Sequence, residues 1–274
     1  MKSWLRHPGL AAGALLTASV IAAALLSLVW TPYAPAAIDI AAKLQPPSAA
    51  HALGTDSLGR DIVSELLAGA RSSLLVGLVA VAIGLVVGVA LGAVAAARRG
   101  WLDEVLQRVA DLGFAFPALL TAILLGAVYG PGLACAIVAI GLFNIPVFFR
   151  VTRGAAIAVW ARDYVTAARA AGKGPLAITI DHVLPNIAAP LIVQATVSFA
   201  TAILAEAALS YLGLGTQPPQ PSWGRMLAEA QSMLFQAPWL ALWPGLAIMA
   251  TVLGLNLLGD GLRDRLDPKL TSRR

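Results

Sequence analysis

Charge is scarce in this chain. Only 12% of its 274 residues are Asp, Glu, Lys or Arg, and 59% are hydrophobic, against about 25% charged in an ordinary soluble domain. That balance excludes a disordered chain and makes water an unsuitable main solvent. Cysteine is nearly absent: the single Cys135 lies in an apolar run, so no internal disulfide and no thiolate metal cluster can form. The three histidines, His7, His51 and His182, fall in three separate segments, and no metal triad or haem site follows from them. A P-loop is missing as well. Its Gly-x-x-x-x-Gly-Lys-Ser/Thr pattern lets backbone amides and a lysine surround phosphates, but Gly172-Lys173 continues into Gly174, with Ala167 where the first glycine should stand. Gly213-Leu214-Gly215 runs into Gln217-Pro218-Pro219 with no strand before it, so the dinucleotide fingerprint fails too. No serine sits beside a base within an apolar run, which argues against an intramembrane protease.

What is present is long apolar stretches. The mean hydropathy is +0.80, and the 25 Gly and 17 Pro suit spanning helices, where both residues are commoner than in soluble ones. A hydrocarbon layer of about 30 Å needs about 20 apolar residues in a helix. Six runs meet that length: approximately Leu10–Trp30, Ser73–Ala97, Val109–Val128, Gly132–Phe149, Ile187–Leu209 and Trp239–Gly259. None alternates with period two, so the runs predict helices rather than a barrel. The first follows Lys2 and Arg6 as a signal peptide would, and Ala34-Pro35-Ala36 resembles a cleavage site. Its length exceeds a signal h-region, and a retained anchor is expected.

Orientation follows from Lys and Arg. With both termini on the cytoplasmic side, only Lys43, Arg60, Arg71 and Arg225 of the 19 basic residues fall outside, as the positive-inside rule requires. The formal charge of +5 therefore reads as insertion into a bilayer, and nucleic acid is not expected as a partner. Three connecting segments are too long for turns: about 31–72 and 210–238 outside, and about 150–186 in the cytoplasm. The whole of 1–274 reads as a single transmembrane domain.

Gly84, Gly88 and Gly92 place a small residue at every fourth position of the second run, a stripe that lets another helix backbone approach closely. Ionisable residues in or at the edge of the runs are few: Asp111, Glu206 and, at the inner edge of the sixth, Asp260. A proton-coupled carrier would need carboxylates at mid-depth, so energy enters from elsewhere. Glu206, about two turns before Gly213, either lines the solute path or sits in interfacial water.

The cytoplasmic segment predicts two short helices. Asp163 suits an N-cap, the alanines after it favour helix, and Gly172 suits the left-handed position just past the end. Pro175 can open a second helix, which Pro185 is expected to end. Such a pair forms a small knob that needs a partner surface. Its residues Tyr164, Thr166, Ala167, Ala168 and Gly172, with Ile178, His182 and Leu184-Pro185-Asn186, resemble the EAA loop of binding-protein-dependent ABC importer permeases. Thr166 stands where that family often has Glu, which would complete a capping box with Asp163.

Further matches narrow the resemblance. Leu53-Gly54-Thr55-Asp56-Ser57-Leu58-Gly59-Arg60-Asp61, the stretch Glu206 to Gly215, Pro221-Ser222-Trp223-Gly224 and Asn256-Leu257-Leu258-Gly259-Asp260 with Leu266-Asp267-Pro268 resemble the dipeptide, oligopeptide and nickel permeases. Within such systems the order of features is similar to the second permease subunit. The resemblance implies an all-α polytopic bundle with the type I ABC importer permease fold, carrying di- or oligopeptides, nickel or another small solute across the inner membrane. It implies a coupling role for Tyr164 to Gly172, His182, Leu184 and Pro185 against two cytoplasmic ABC ATPase subunits, which would use ATP and Mg. This chain itself would bind no cofactor and catalyse no reaction. The other partners implied are a homologous second permease, a solute-binding protein and membrane lipid, the last two candidates for the segment around Trp223 to Phe235. Lipid or the ATPase would meet Arg263, Arg265 and Lys269. Six spans alone would also permit a self-sufficient secondary carrier, for which neither inverted halves nor a discontinuous helix is apparent in the sequence.

Overall fold

The computed structural model describes residues 8–266; Lys2, Arg6, His7, Asp267, Pro268 and Lys269 lie outside them. Among these described residues ten α-helices follow in order: α1 (Pro8–Leu26), α2 (Ile62–Arg98), α3 (Trp101–Ala115), α4 (Ala118–Tyr129), α5 (Leu133–Trp160), α6 (Asp163–Ala170), α7 (Pro175–Ile178), α8 (Leu184–Tyr211), α9 (Trp223–Ala230) and α10 (Trp239–Leu266). Among the described residues there is no strand, only an isolated bridge between Thr55 and Asp61. Five helical stretches are long and apolar enough to cross a membrane, or six if α3 and α4 count as one bent span.

The third expected span departs from a simple crossing. Val109–Val128 is divided between α3 and α4, which meet at 78°. Phe116 is extended, with φ −105° and ψ 99°, because the ring of Pro117 disfavours helical backbone in the residue before it. Two helices meeting at an angle thus stand where the apolar run suggested one continuous helix.

α2 starts well before Ser73, so the connecting segment expected over 31–72 is shorter than its apolar limits suggested. Asp61 caps the helix: its Oδ2 accepts from the Ser64 amide at 2.9 Å and from the Ser64 hydroxyl at 2.8 Å. Nothing in a helix obliges it to stop where the hydrocarbon does, and Glu65 and Arg71 sit in turns beyond it. α5 likewise runs on past Phe149 to Trp160.

Packing rests on small residues. A Cβ at Gly88 would stand 2.6 Å from the Ile145 carbonyl oxygen, and one at Gly92 would stand 2.7 Å from the Phe149 oxygen. Gly84 meets Asn144 of the same helix. The α2 stripe is therefore in backbone contact with α5. α1 lies against α10 by similar means, Gly13 facing Leu257 and Leu258, and Gly254 facing Leu16. Buried residues Val76, Ala80, Ala139, Ile140, Phe148 and Ala202 form the central core among α2, α5 and α8.

Candidate functional site

The 161–186 segment forms a compact knob at the end of the bundle where α2 and α5 finish. α6 begins at Asp163, with Arg162 rather than Asp163 in the capping position and no side-chain cap bond. Asp163 instead lies in the first turn, where a carboxylate favours the positive helix end. The helix closes as expected at Gly172, whose φ is +85°. The Lys173 amide reaches back to the Ala168 carbonyl at 3.1 Å and the Gly172 amide to Arg169 at 2.9 Å, the paired bonds of a Schellman motif.

Pro175 opens α7, but Pro185 does not end it. α7 passes through a π turn over Thr179–Val183 into α8, and Pro185 sits in the first turn of that long helix. A proline there lacks only an amide that the widened π turn has already displaced from ordinary helical bonding.

The knob is anchored by a small core. Val165 of α6, Ile178 of α7 and Val183 of the π turn are fully buried against Ala96, Ala156, Trp160 and Ile187. Each such side chain stabilises the docking by about 1.5–3 kcal/mol. Arg169 adds a guanidinium 4.9 Å from the Trp160 ring. The outer surface carries Tyr164, Thr166, Ala167, Gly172 and Pro185, all exposed, while Ala168, His182 and Leu184 are half-buried. Tyr164 and His182 come together edge to face at 6.2 Å. The Lys173 ammonium pairs with Asp181 at 2.8 Å, but in water such a contact contributes little. Leu176 is 73% exposed, a large apolar side chain at the tip with nothing over it.

Glu206 lies towards the opposite end, away from the knob. Expected on a solute path or in interfacial water, it has no exposed surface. Its carboxyl accepts from Ser73 of α2 at 2.8 Å and from Ser210 at 2.7 Å, and the Ser210 hydroxyl in turn accepts from the Thr216 amide at 3.0 Å. The group ties α2, α8 and the segment after α8 together.

Sequence reasoning missed an ionic hub at that same end. Arg60 has an 8% exposed side chain; it meets Asp56 at 2.5 Å, Glu65 of α2 at 3.0 Å, and Glu229 of α9. Burial alone would lower the Arg60 pKa, but the Glu65, Asp56 and Glu229 carboxylates more than offset it and hold the guanidinium above its ordinary value. The three carboxylates approach one another closely enough to suggest a metal site, yet the guanidinium already occupies the middle of the group. α9 itself is not a free surface helix: Trp223 is buried, its indole donating to the Leu66 carbonyl at 3.1 Å. Asp56 four residues before Arg60 was visible as a local pair; Glu229 lies 169 residues away and no local signal could have found it. A second missed pair, Asp103 of α3 with Arg153 of α5 at 2.5 and 2.7 Å, fastens the bent span to its neighbour.

The chain matches the model of the binding-protein-dependent transport system inner membrane component over residues 84–272. It is 44% identical over 260 residues to the dipeptide transport system permease protein DppC of Alkalihalophilus pseudofirmus, covering 95% of this chain and 86% of that one. To the di/tripeptide transport system permease protein DppC of Pseudomonas aeruginosa it is 45% identical over 275 residues, with 98% and 91% covered. The glutathione transport system permease protein GsiD of Pectobacterium atrosepticum is 46% identical over 226 residues, with 82% and 75% covered. In fold, the chain is similar to an inward-facing MetNI methionine ABC transporter structure, with a TM-score of 0.62 at 18% identity over 73% of this chain and 94% of the other. By the family model and the identity to these relatives, the chain belongs to the family of binding-protein-dependent transport system inner membrane components.

Proposed function

We propose that the chain is the second permease subunit of an ATP-driven importer of di- and oligopeptides, paired with a homologous permease and served by two cytoplasmic ATPase subunits and a solute-binding protein. Relatives named for dipeptide, di/tripeptide and glutathione transport support the peptide class. The observation that carries the reading is the knob. α6 and α7 rest on a buried apolar base while Tyr164, Ala167 and Leu176 stay exposed at the surface, an arrangement suited to a groove on another subunit. Both termini then lie in the cytoplasm with the knob, which is where 15 of the 19 basic residues fall.

In this mechanism the chain holds no nucleotide and catalyses nothing. ATP closes the ATPase pair, the grooves carry the knobs, and the permeases exchange between inward-open and outward-open arrangements. Thr166, exposed on α6, leaves the docking to shape and apolar contact rather than to an ionic bond. The break between α3 and α4 is the one feature that favours a secondary carrier. Carriers set such a break around a bound solute or ion, whereas Phe116, Pro117 and Ala118 bring no polar side chain to it.

The test is uptake in vesicles containing the purified complex. Gly172→Asp places a side chain at φ +85° and should abolish ATP-driven peptide uptake while the subunit still inserts and co-purifies with its partners. Solute movement by this polypeptide alone, driven by an ion gradient without ATP, would refute the reading.

A further inference from the structure

Two rows of side chains face each other across a groove between α2 and the stretch from α7 into α8. Val86, Ala90, Val94 and Arg98 follow one another at intervals of four along α2, and all four are exposed. Opposite them, Leu176 of α7, Ile180 of the π turn, and Leu184, Ala188 and Ile192 of α8 repeat the same interval. Between the rows lie two cavities, one of about 470 Å³ beside Leu191 and Ala195 and one of about 330 Å³ beside Pro175 and Thr179. Both have Val89, Ala90 and Leu184 in their walls, so they form one continuous groove. From Val86 to Arg98 it is about 18 Å long, at 1.5 Å per residue.

The groove is apolar until its last residue. No polar side chain lines the larger cavity. The smaller one has two, Thr179 and Arg98, and the Thr179 hydroxyl already donates to the Pro175 carbonyl at 2.8 Å. Among the described residues the Arg98 side chain has no ion pair and no hydrogen bond. Arg98 also ends the charge-free run of Ser73–Ala97, so the groove falls in the inner half of a hydrocarbon core about 30 Å thick, with the guanidinium at its cytoplasmic edge. Gly84, Gly88 and Gly92, the α2 positions that admit another backbone, are taken up by α5. Cavities of this size suit a chain one methylene wide better than a helix 10–12 Å across. Basic pockets between spanning helices on the cytoplasmic side bind anionic lipid headgroups.

We propose that this groove is a binding site for an inner-leaflet phospholipid with an anionic headgroup, whose acyl chain lies between the two rows and whose phosphate meets Arg98. The site adjoins the knob. Of α7, only Ile178 enters the buried core that holds the knob to Ala96 of α2. The lipid chain extends that contact to Ile180, beside the exposed Leu176, and braces α7 against α2. Binding itself requires neither nucleotide nor solute and stands apart from the importer reading; only the value of the brace for coupling rests on it.

The test uses the assembled complex in phosphatidylcholine vesicles containing a phosphatidylglycerol with a photoactivatable group at mid-chain, without ATP. Light should attach the lipid to peptides covering 85–98 and 176–192. Replacing part of the phosphatidylcholine by unlabelled phosphatidylglycerol should suppress that labelling, whereas replacing it by phosphatidylethanolamine should not. Arg98→Gln should reduce labelling about fivefold, the effect of one basic residue beside anionic lipid. Arg98→Lys should keep most of it, and Arg263→Gln, which removes an exposed charge on α10, should leave it unchanged. Amide exchange over 175–180 should be about threefold slower in phosphatidylglycerol than in phosphatidylcholine for the parent, and equal in the two lipids for Arg98→Gln. Labelling displaced equally by both competing lipids, or indifferent to Arg98→Gln, would overturn the assignment. So would displacement by inorganic phosphate alone, which would leave only a free-anion site. Capture of the second permease chain by a photoactivatable residue at Ile192 would make the groove a subunit interface and overturn it too, and exchange indifferent to lipid would sink the bracing of α7.

Discussion

Replacing Gly88 by alanine isolates what holds α2 to α5. The new Cβ would stand 2.6 Å from the Ile145 oxygen, 2.7 Å from the Phe148 Cβ and 2.9 Å from the Phe149 amide nitrogen. Comfortable separations are about 3.5–4.0 Å, and none of the three atoms is the free end of a flexible side chain. The helices must therefore part by about 1 Å, which forfeits a quarter to a half of the dispersion energy at each contact. Overpacking of this kind costs about 1–3 kcal/mol, and with backbone on both sides the upper part of the range applies. Alanine also gains up to about 1 kcal/mol of helix propensity over glycine. Gly154 of α5 provides the control, because a Cβ there meets nothing within 4 Å. Both variants share the propensity gain, so the difference between them is the packing cost alone. Thermal unfolding of the purified complex should rank Gly154→Ala at or above the parent and Gly88→Ala several degrees below it. Equal melting temperatures for the two variants would refute the idea that close backbone approach binds these helices.

Other perturbations separate the remaining elements. Arg60→Gln strands Asp56 and Glu65 in buried positions and should cost about 3–5 kcal/mol, seen as early protease cleavage between α1 and α2. Glu206→Gln keeps a hydrogen-bonding group between Ser73 and Ser210 and should melt within about 1 kcal/mol of the parent, whereas Glu206→Leu should lose about 1–3 kcal/mol; equal loss from both would contradict a hydrogen-bonding role. Gly172→Ala should weaken α6 by about 1–2 kcal/mol through its left-handed backbone, detectable as faster amide exchange confined to 163–174.

Much of the bundle could be read from the chain because apolar length is a local property. Runs such as Trp239–Gly259 and Ile187–Leu209 gave helices in the right places, and Gly172 took the backbone conformation its position after an alanine helix suggested. Helix ends were harder. A charge-free run reports where hydrocarbon ends, not where hydrogen bonding ends, so Ile62 and Trp160 could not be found by hydropathy. The break after Ala115 had a visible signal in Phe116-Pro117, outweighed by the apolar residues around it. Glu206 and Arg60 failed for another reason. Each has a partner four residues away, Ser210 and Asp56, but the partners that fix them to other helices, Ser73 and Glu229, are 133 and 169 residues distant, and no spacing rule reaches that far. A charged group whose distant partner is invisible reads as exposed, although its burial is what that partner permits.

α5, α8 and α10 each contain an internal proline, and α2 contains none. Its 37 residues make a rod about 55 Å long, far more than the thickness of a bilayer core. Such a strut behaves as a seesaw rather than as a hinge. Tilting it by about 10° around its middle swings both tips by about 5 Å in opposite senses, from the dimensions of the helix alone. Motion beside Leu176 on one side would therefore arrive at Trp223 on the far side in the same instant and with the opposite sign, needing no relay of intervening side chains.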